Sequence, residues 1–253
     1  MTGPERVIAT AQAEIGYLEK ATNAQLDDKT ANAGANNWNK FARDLDNLGD
    51  LFNGKKNGYD WCGVFATWCF IQTFGKELGQ ALLCQPPKSL AAGVKYAANY
   101  FKNKGRFHTS NPQPADQIFF YGSSTDVWQH TGLVEKVEGG KVYTIEGNTT
   151  GASGVVYNGG GVARKSYALN YSRIAGYGRP DWTLVKENDD MKYYEKLNDV
   201  PKDYQPTIRK LMEHGALVGY SNPDPNSLED NILNVSEDYC RVMTTLDRMG
   251  KLD

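Results

Sequence analysis

Cys62 stands in the run Tyr59-Asp60-Trp61-Cys62-Gly63-Val64-Phe65-Ala66-Thr67-Trp68-Cys69-Phe70, where a polar, turn-prone stretch gives way to apolar residues at helical spacing. That spacing puts a thiol in the first turn of a helix. Backbone N–H groups there have no partner within the helix and carry the positive end of the macrodipole, so they favour a thiolate and, later, an oxyanion. An isolated cysteine near a helix start is more often a small buried hydrophobe, and residues further along the chain decide between the two readings. Apolar positions alternate from Gln129 to Val137, Gly139-Gly140 make a turn, and Lys141 to Asn148 alternate again. This is the pattern of a β-hairpin. His130 opens its first strand and Glu146 and Asn148 close its second, so folding the hairpin brings both ends to one rim of a sheet.

A thiol that cleaves an amide needs an imidazole to share its proton and later protonate the leaving amine, and a polar group to fix the ring. Cys62, His130 and Glu146 fit those roles. Asn148, two residues beyond Glu146, faces the same side of an extended strand and is an equal candidate for the third. Tyr59, Trp61 and Trp128 flank Cys62 and His130 and are candidates to line a substrate groove, with core packing as the alternative for large aromatic rings.

The elements that must position these residues follow from the apolar periodicity. Val7, Ile8, Ala11 and Ile15 share one face of a helix from about Pro4 to Gly16, and a second helix runs from about Asn36 to Leu48. The thiol-bearing helix ends near Gly75, and another lies between Leu90 and Gly105. Strands are expected at 117–121, 130–137, 141–146 and 174–178. Helices followed by an antiparallel sheet make an α+β fold. The run Gly159-Gly160-Gly161 lacks a phosphate-loop pattern and reads as a loop opposite the rim that carries His130. His108 and His214 have no visible partner and read as ordinary histidines.

Arg179-Pro180-Asp181-Trp182 closes the sheet, and the polar stretch at 183–191 reads as a linker between a domain at 1–182 and a small, mainly helical one at 192–253. In the latter, Ile208, Leu211 and Met212 share a helix face, and Ser236 is placed as N-cap of a last helix with Glu237 and Asp238 in its first turn. Such a unit has little core of its own.

The 253 residues carry 28 basic and 30 acidic side chains, a balance that gives no footprint for nucleic acid or an anionic membrane, and no apolar run is long enough to span a bilayer. Four cysteines, Cys62, Cys69, Cys84 and Cys240, show no zinc-type pairing. A disulfide between Cys69 and Cys84 is an alternative to reduced thiols.

The chain resembles the CHAP domains, papain-like cysteine amidases and peptidases of bacterial peptidoglycan. The resemblance covers roughly residues 4–180. It rests on the aromatic-Cys62 helix continuing into Trp68-Cys69-Phe70, on Pro114-Ala115-Asp116 before a strand where the family has Pro-Gly-Asp, and on His130-Thr131-Gly132 and Ile145-Glu146-Gly147-Asn148. The residues from Ala11 to Lys20 and from Asn36 to Asp44 are similar to the start of many phage and prophage lysins. The resemblance implies a papain-like domain that hydrolyses an amide of peptidoglycan, between muramic acid and L-alanine or within the peptide stem or cross-bridge. The alternatives are an NlpC-type peptidase, which favours His in place of Glu146, and a noncatalytic wall-binding protein.

No cofactor is required by this chemistry. Some family members bind calcium upstream of the nucleophile, where Asp44, Asp46 and Asp50 lie here; Gly63-Val64 offers none of the carboxylate such sites also use. The C-terminal segment is similar to a single S-layer-homology repeat, with Ser236-Glu237-Asp238-Tyr239 in place of that family's basic-acidic signature, and implies a wall-binding or homo-oligomerising unit. Met1 to Ala11 lacks the pattern of a secretory signal. A lysin released from the bacterial host cytosol to the wall is therefore expected, with a trimmed extracellular enzyme as the alternative.

Overall fold

The computed structural model describes residues 1–124, 127–152, 154–156, 158–185, 193–194, 196–214, 235–248 and 251–252. The chain divides into two compact units, Met1–Lys186 and Glu187–Asp253.

The first unit begins with α1 (Gly3–Ala13), started by a capping box in which Thr2 and Glu5 satisfy each other's backbone N–H groups. It buries Val7 and Ala11 and stops short of the expected Gly16, which turns the chain at φ 89°. Helix α2 (Lys40–Asn47) is also shorter than its apolar pattern suggests. Asn37 is left-handed and Asn39 extended, and the Asn39 side chain caps the helix by accepting from Ala42 N. Next come α3 (Cys62–Phe74), α4 (Lys76–Leu82) and α5 (Val94–Asn103). Gly75, at φ 79°, separates α3 from α4, a helix that the sequence pattern did not reveal.

Six strands form one sheet: β1 (Phe107–His108), β2 (Gln117–Tyr121), β3 (Trp128–Glu138), β4 (Lys141–Thr149), β5 (Gly161–Ala168) and β6 (Ile174–Gly178). Their order is β1-β6-β2-β3-β4-β5 and every pair is antiparallel. The first unit therefore mixes helices with an antiparallel sheet. Strands β3 and β4 meet through Gly139 and Gly140, both at positive φ, with Glu138 paired to Lys141 across a two-residue turn. Before β2, Ala115 adopts φ 64° with its methyl buried. The turn thus keeps a left-handed residue without glycine, anchored by Asp116, whose carboxylate accepts from Gln113 N and from Arg179.

Both faces of the sheet are covered. Phe119, Leu133 and Ile145 pack with the helices in the main core, whereas Ile118, Phe120, Val134, Val142, Tyr167 and Tyr177 form a second cluster on the other face. Strand β5 alternates buried and exposed residues although its glycine-rich start reads as loop. The unit closes with a 3-10 turn at Trp182–Leu184. Trp182 stacks on Phe70 at 6.0 Å and Val185 is buried, whereas Thr183 and Leu184 between them are exposed. The remainder of the expected linker, 186–191, lies outside the described residues.

In the second unit, β7 (Tyr193–Tyr194) pairs antiparallel with β8 (Val235–Ser236). Helices α6 (Gln205–Glu213) and α7 (Glu237–Arg248) bury Ile208, Leu211, Met212 and Cys240 with Tyr194, Leu197 and Val200. Asp247 ties the two helices by accepting from Thr207 Oγ1 and Lys210 Nζ. The expected stop at Gly215 and the segment from Ala216 to Tyr220 lie outside the described residues. Among the described residues no helix is long and apolar enough to cross a membrane.

Candidate active site

Cys62 is the first residue of α3 and is 5% exposed. Its N-cap, Trp61, puts no side-chain acceptor on the first-turn N–H groups, which leaves them available to negative charge. The helix can lie this close to the hairpin because β4 carries Gly147. A Cβ there would come within 2.5 Å of Phe65 Cβ and 2.8 Å of a Trp61 ring carbon.

His130 and Glu146 project from adjacent strands and are both fully buried. His130 Nε2 lies 3.0 Å from Glu146 Oε2. The carboxylate is held by two further donors, Thr144 Oγ1 at 2.6 Å on Oε1 and the Tyr167 hydroxyl at 3.2 Å on Oε2. Gly132 makes room for it, since a Cβ at that position would sit 2.5 Å from Glu146 Cγ. Burial by itself disfavours a charged imidazole. Hydrogen bonds and charge interactions with Cys62 and Glu146 outweigh it and raise the His130 pKa to about 10. With Nε2 committed to Glu146, Nδ1 is the nitrogen left to the thiol, and no nitrogen or oxygen holds it. His130 is therefore held as a charged proton donor at neutral pH, beside the thiol.

Asn148 takes a different place from the one its spacing suggests. It adopts φ 54° at an irregularity between Glu146 and Thr149 in the β4–β5 pairing, so the alternation of an extended strand does not carry through to it. Its side-chain oxygen accepts from Gly160 N at 3.3 Å, and Gly159 N donates to its carbonyl. His130 is thus served by Glu146, and Asn148 fastens the following loop. These contacts also correct the placement of Gly159-Gly160-Gly161: the run adjoins the end of β4 that carries Glu146 and Asn148, not the opposite rim.

The aromatic residues separate. Trp61 is fully buried, its indole N–H donating to Glu19 Oε2 at 2.9 Å and its ring stacked on Phe41, so it builds the core and lines no groove. Trp128 is half-buried. A register shift after Phe120 leaves Gln129 bulged and pairs Trp128 with Tyr121, so Trp128 packs with Phe107, Phe119 and Tyr121 while His130 lies beside Phe120 on the other face. Lys102 Nζ lies 4.4 Å from the Trp128 ring centre. Tyr59 is 66% exposed just before the thiol helix.

The acidic residues upstream of Cys62 are met by protein donors or lie at the surface. Asp44 accepts from Arg43 and from Trp68 Nε1, and Asp46 accepts from Lys56 N and Asn57 N. Asp50 is exposed, 3.8 Å from Lys88. Among the described residues no group of three or more His, Cys, Asp or Glu side chains is arranged to hold a metal. All four cysteines are free thiols, Cys69 and Cys84 included. Burial pushes Cys69 well up and Cys84 up from the ordinary thiol value, which leaves both poor nucleophiles.

Three residues around the site escaped the sequence pattern. Thr144 sits two residues before Glu146 on the same strand face, a spacing that was legible. Tyr167 and Glu19 arrive from β5 and from the segment after α1, and only the fold brings them in.

A family model described as CHAP domain matches residues 54–148, a span that contains Cys62, His130, Glu146 and Asn148. Several chains of solved structures are similar to this one. One, titled "The crystal structure of Ly7917", is 14% identical, with a TM-score of 0.42, and the match covers 72% of this chain and 63% of that one. Another, titled "The crystal structure of Ly7917 with the hydrolyzing product of MDP", is 15% identical with a TM-score of 0.41, covering 71% and 63%. The chain thus spans just under two thirds of the length of these structures. No curated protein matches it. The matched stretch, residues 54–148, brings the thiol helix and the His130–Glu146 hairpin together and is similar to a CHAP domain.

Proposed function

We propose that this chain is a cysteine-dependent hydrolase that cleaves an amide bond of bacterial peptidoglycan, through a papain-like arrangement of helix and sheet. The observation that carries the reading is His130, buried and bonded to Glu146 through Nε2, with Nδ1 left without a partner and Cys62 acting on the ring from a helix start. The Cys62 thiolate attacks the amide carbonyl carbon. The resulting oxyanion is met by the Cys62 backbone N–H and the helix dipole. His130, as imidazolium, gives its proton to the nitrogen as the C–N bond breaks and the amine leaves. Water then attacks the thioester with His130 taking its proton, which releases the carboxylic acid and restores the thiolate beside the imidazolium. Glu146 orients the ring and stabilises its charge throughout.

The second unit, with its own small core, fits a module that binds the wall or pairs with another copy, similar to an S-layer-homology repeat. A lysin of phage or prophage type accords with both parts. The test is mass spectrometry of fragments released from purified sacculi by the wild-type protein and by Cys62→Ala. A new N-terminal alanine identifies cleavage next to muramic acid, and other new amines identify stem or cross-bridge cleavage. Release that is equal in both proteins overturns the assignment.

A further inference from the structure

Tyr167 lies on β5, two strands away from His130, and is 4% exposed. Its hydroxyl donates to Glu146 Oε2, the same oxygen that meets His130 Nε2, while Thr144 Oγ1 holds the other oxygen. The ring is clamped between Phe120 at 4.7 Å and Tyr171 at 5.3 Å, and Phe120 in turn lies against the His130 ring. Burial and the adjacent carboxylate both raise the phenol pKa, so the group stays a neutral donor.

A carboxylate anchored by one contact can rotate about its last torsion, which is a soft one. Anchored on both oxygens, it presents Oε2 to His130 in a fixed direction. We propose that Tyr167, together with Thr144, is a positioning residue that locks the Glu146 carboxylate onto His130 and thereby fixes the ring that serves Cys62. This rests on reading Cys62 and His130 as the catalytic pair. The groups that bear on the pair are Cys62 from α3 and Glu146 from β4, with Tyr167 and Lys165 from β5 and Arg173 acting through Glu146 or at longer range.

The experiment reads Cys62 directly. The pH dependence of its alkylation by iodoacetamide, followed by mass spectrometry of the Cys62 peptide, is compared for wild type, Tyr167→Phe, Thr144→Val, Thr144→Ser and the control Tyr171→Phe. That control keeps a ring in the stack and removes a hydroxyl that does not touch Glu146. Tyr167→Phe and Thr144→Val should move the onset of alkylation up by about one pH unit. Each should lower muropeptide kcat about tenfold at unchanged KM, as expected for a lost hydrogen bond to a charged group. Thr144→Ser and Tyr171→Phe should leave both where they are. An unmoved or lowered onset in folded Tyr167→Phe, or an equal shift in Tyr171→Phe, overturns the proposal. Alkylation needs no wall substrate, so a wild-type protein that shows the reactive thiol but turns over no muropeptide overturns the hydrolase reading alone.

Discussion

Glu146→Gln should preserve the shape of the site and remove its charge. The side chain is fully buried and takes three donors, so an isosteric amide must find partners for all of them. With its carbonyl oxygen in the place of Oε2 it still accepts from His130 and Tyr167, and its NH2 group faces Thr144 Oγ1, which can accept. No cavity opens, and only the second amide N–H and the Thr144 hydroxyl proton lose a partner, so the fold should survive with a modest loss of stability. What disappears is the difference between a hydrogen bond to a charged group, about 1.5–3 kcal/mol, and one between neutral groups, about 0.5–1.5 kcal/mol. That difference of roughly 1–2 kcal/mol corresponds to a loss of about 5- to 30-fold in kcat/KM. It should fall on kcat, because the carboxylate matters most while His130 carries the transferred proton.

A second signature is independent of amplitude. Glu146 is one of two partners that hold the His130 pKa at about 10 against burial, so its neutralisation should move the alkaline limb of the rate profile to lower pH. Because the folded value lies above the ordinary 6.5, the pairing stabilises the fold fully below about pH 6.5 and loses that contribution as pH rises through about 10. Glu146→Gln should shrink this alkaline loss of stability. The assay is amine release from a defined muropeptide across pH, with thermal melts monitored by circular dichroism on the same samples. Wild-type kcat/KM in a folded Glu146→Gln protein, with an unmoved alkaline limb, would refute the reasoning.

Cys62→Ser and His130→Ala should each abolish most hydrolysis in a folded protein, and the double variant should be no worse than either, since both serve one proton-transfer unit; turnover of sacculi by either single variant counts against the pair. Gly132→Ala should push a methyl into Glu146 Cγ, destabilising by about 1–3 kcal/mol in denaturant titrations and lowering kcat further than the stability loss explains. Chelation by EDTA should leave activity intact, because Asp44 and Asp46 already spend their oxygens on protein donors; loss reversed by calcium alone would return them to a ligand set. Deleting residues 187–253 should weaken sacculus pull-down or change the light-scattering mass more than it changes turnover of a small soluble muropeptide, since the first unit holds every side chain proposed as catalytic; lost turnover with unchanged binding and mass would assign the segment to the catalytic fold.

What amino-acid order by itself determined is local. A thiol at the point where polar residues give way to an apolar helical run, and period-two alternation on both sides of Gly139-Gly140, are patterns of neighbours, and they put Cys62 at a helix start and His130 and Glu146 at one end of a hairpin. Trp61 had two readings, groove wall or core, because an indole suits both; only packing against Phe41 and Glu19 made it core. Trp128 had the same two readings from its place beside His130, and Asn148 was placed by counting residues along an ideal strand. A single bulged residue at Gln129 and a left-handed φ at Asn148 decide the two placements, because a one-residue slip moves every later side chain to the opposite face. Tyr167 joins Glu146 across 21 positions and Glu19 joins Trp61 across 42. Such contacts leave no periodic trace, since their geometry depends on how the sheet and helices close on each other and not on the residues beside them in the chain.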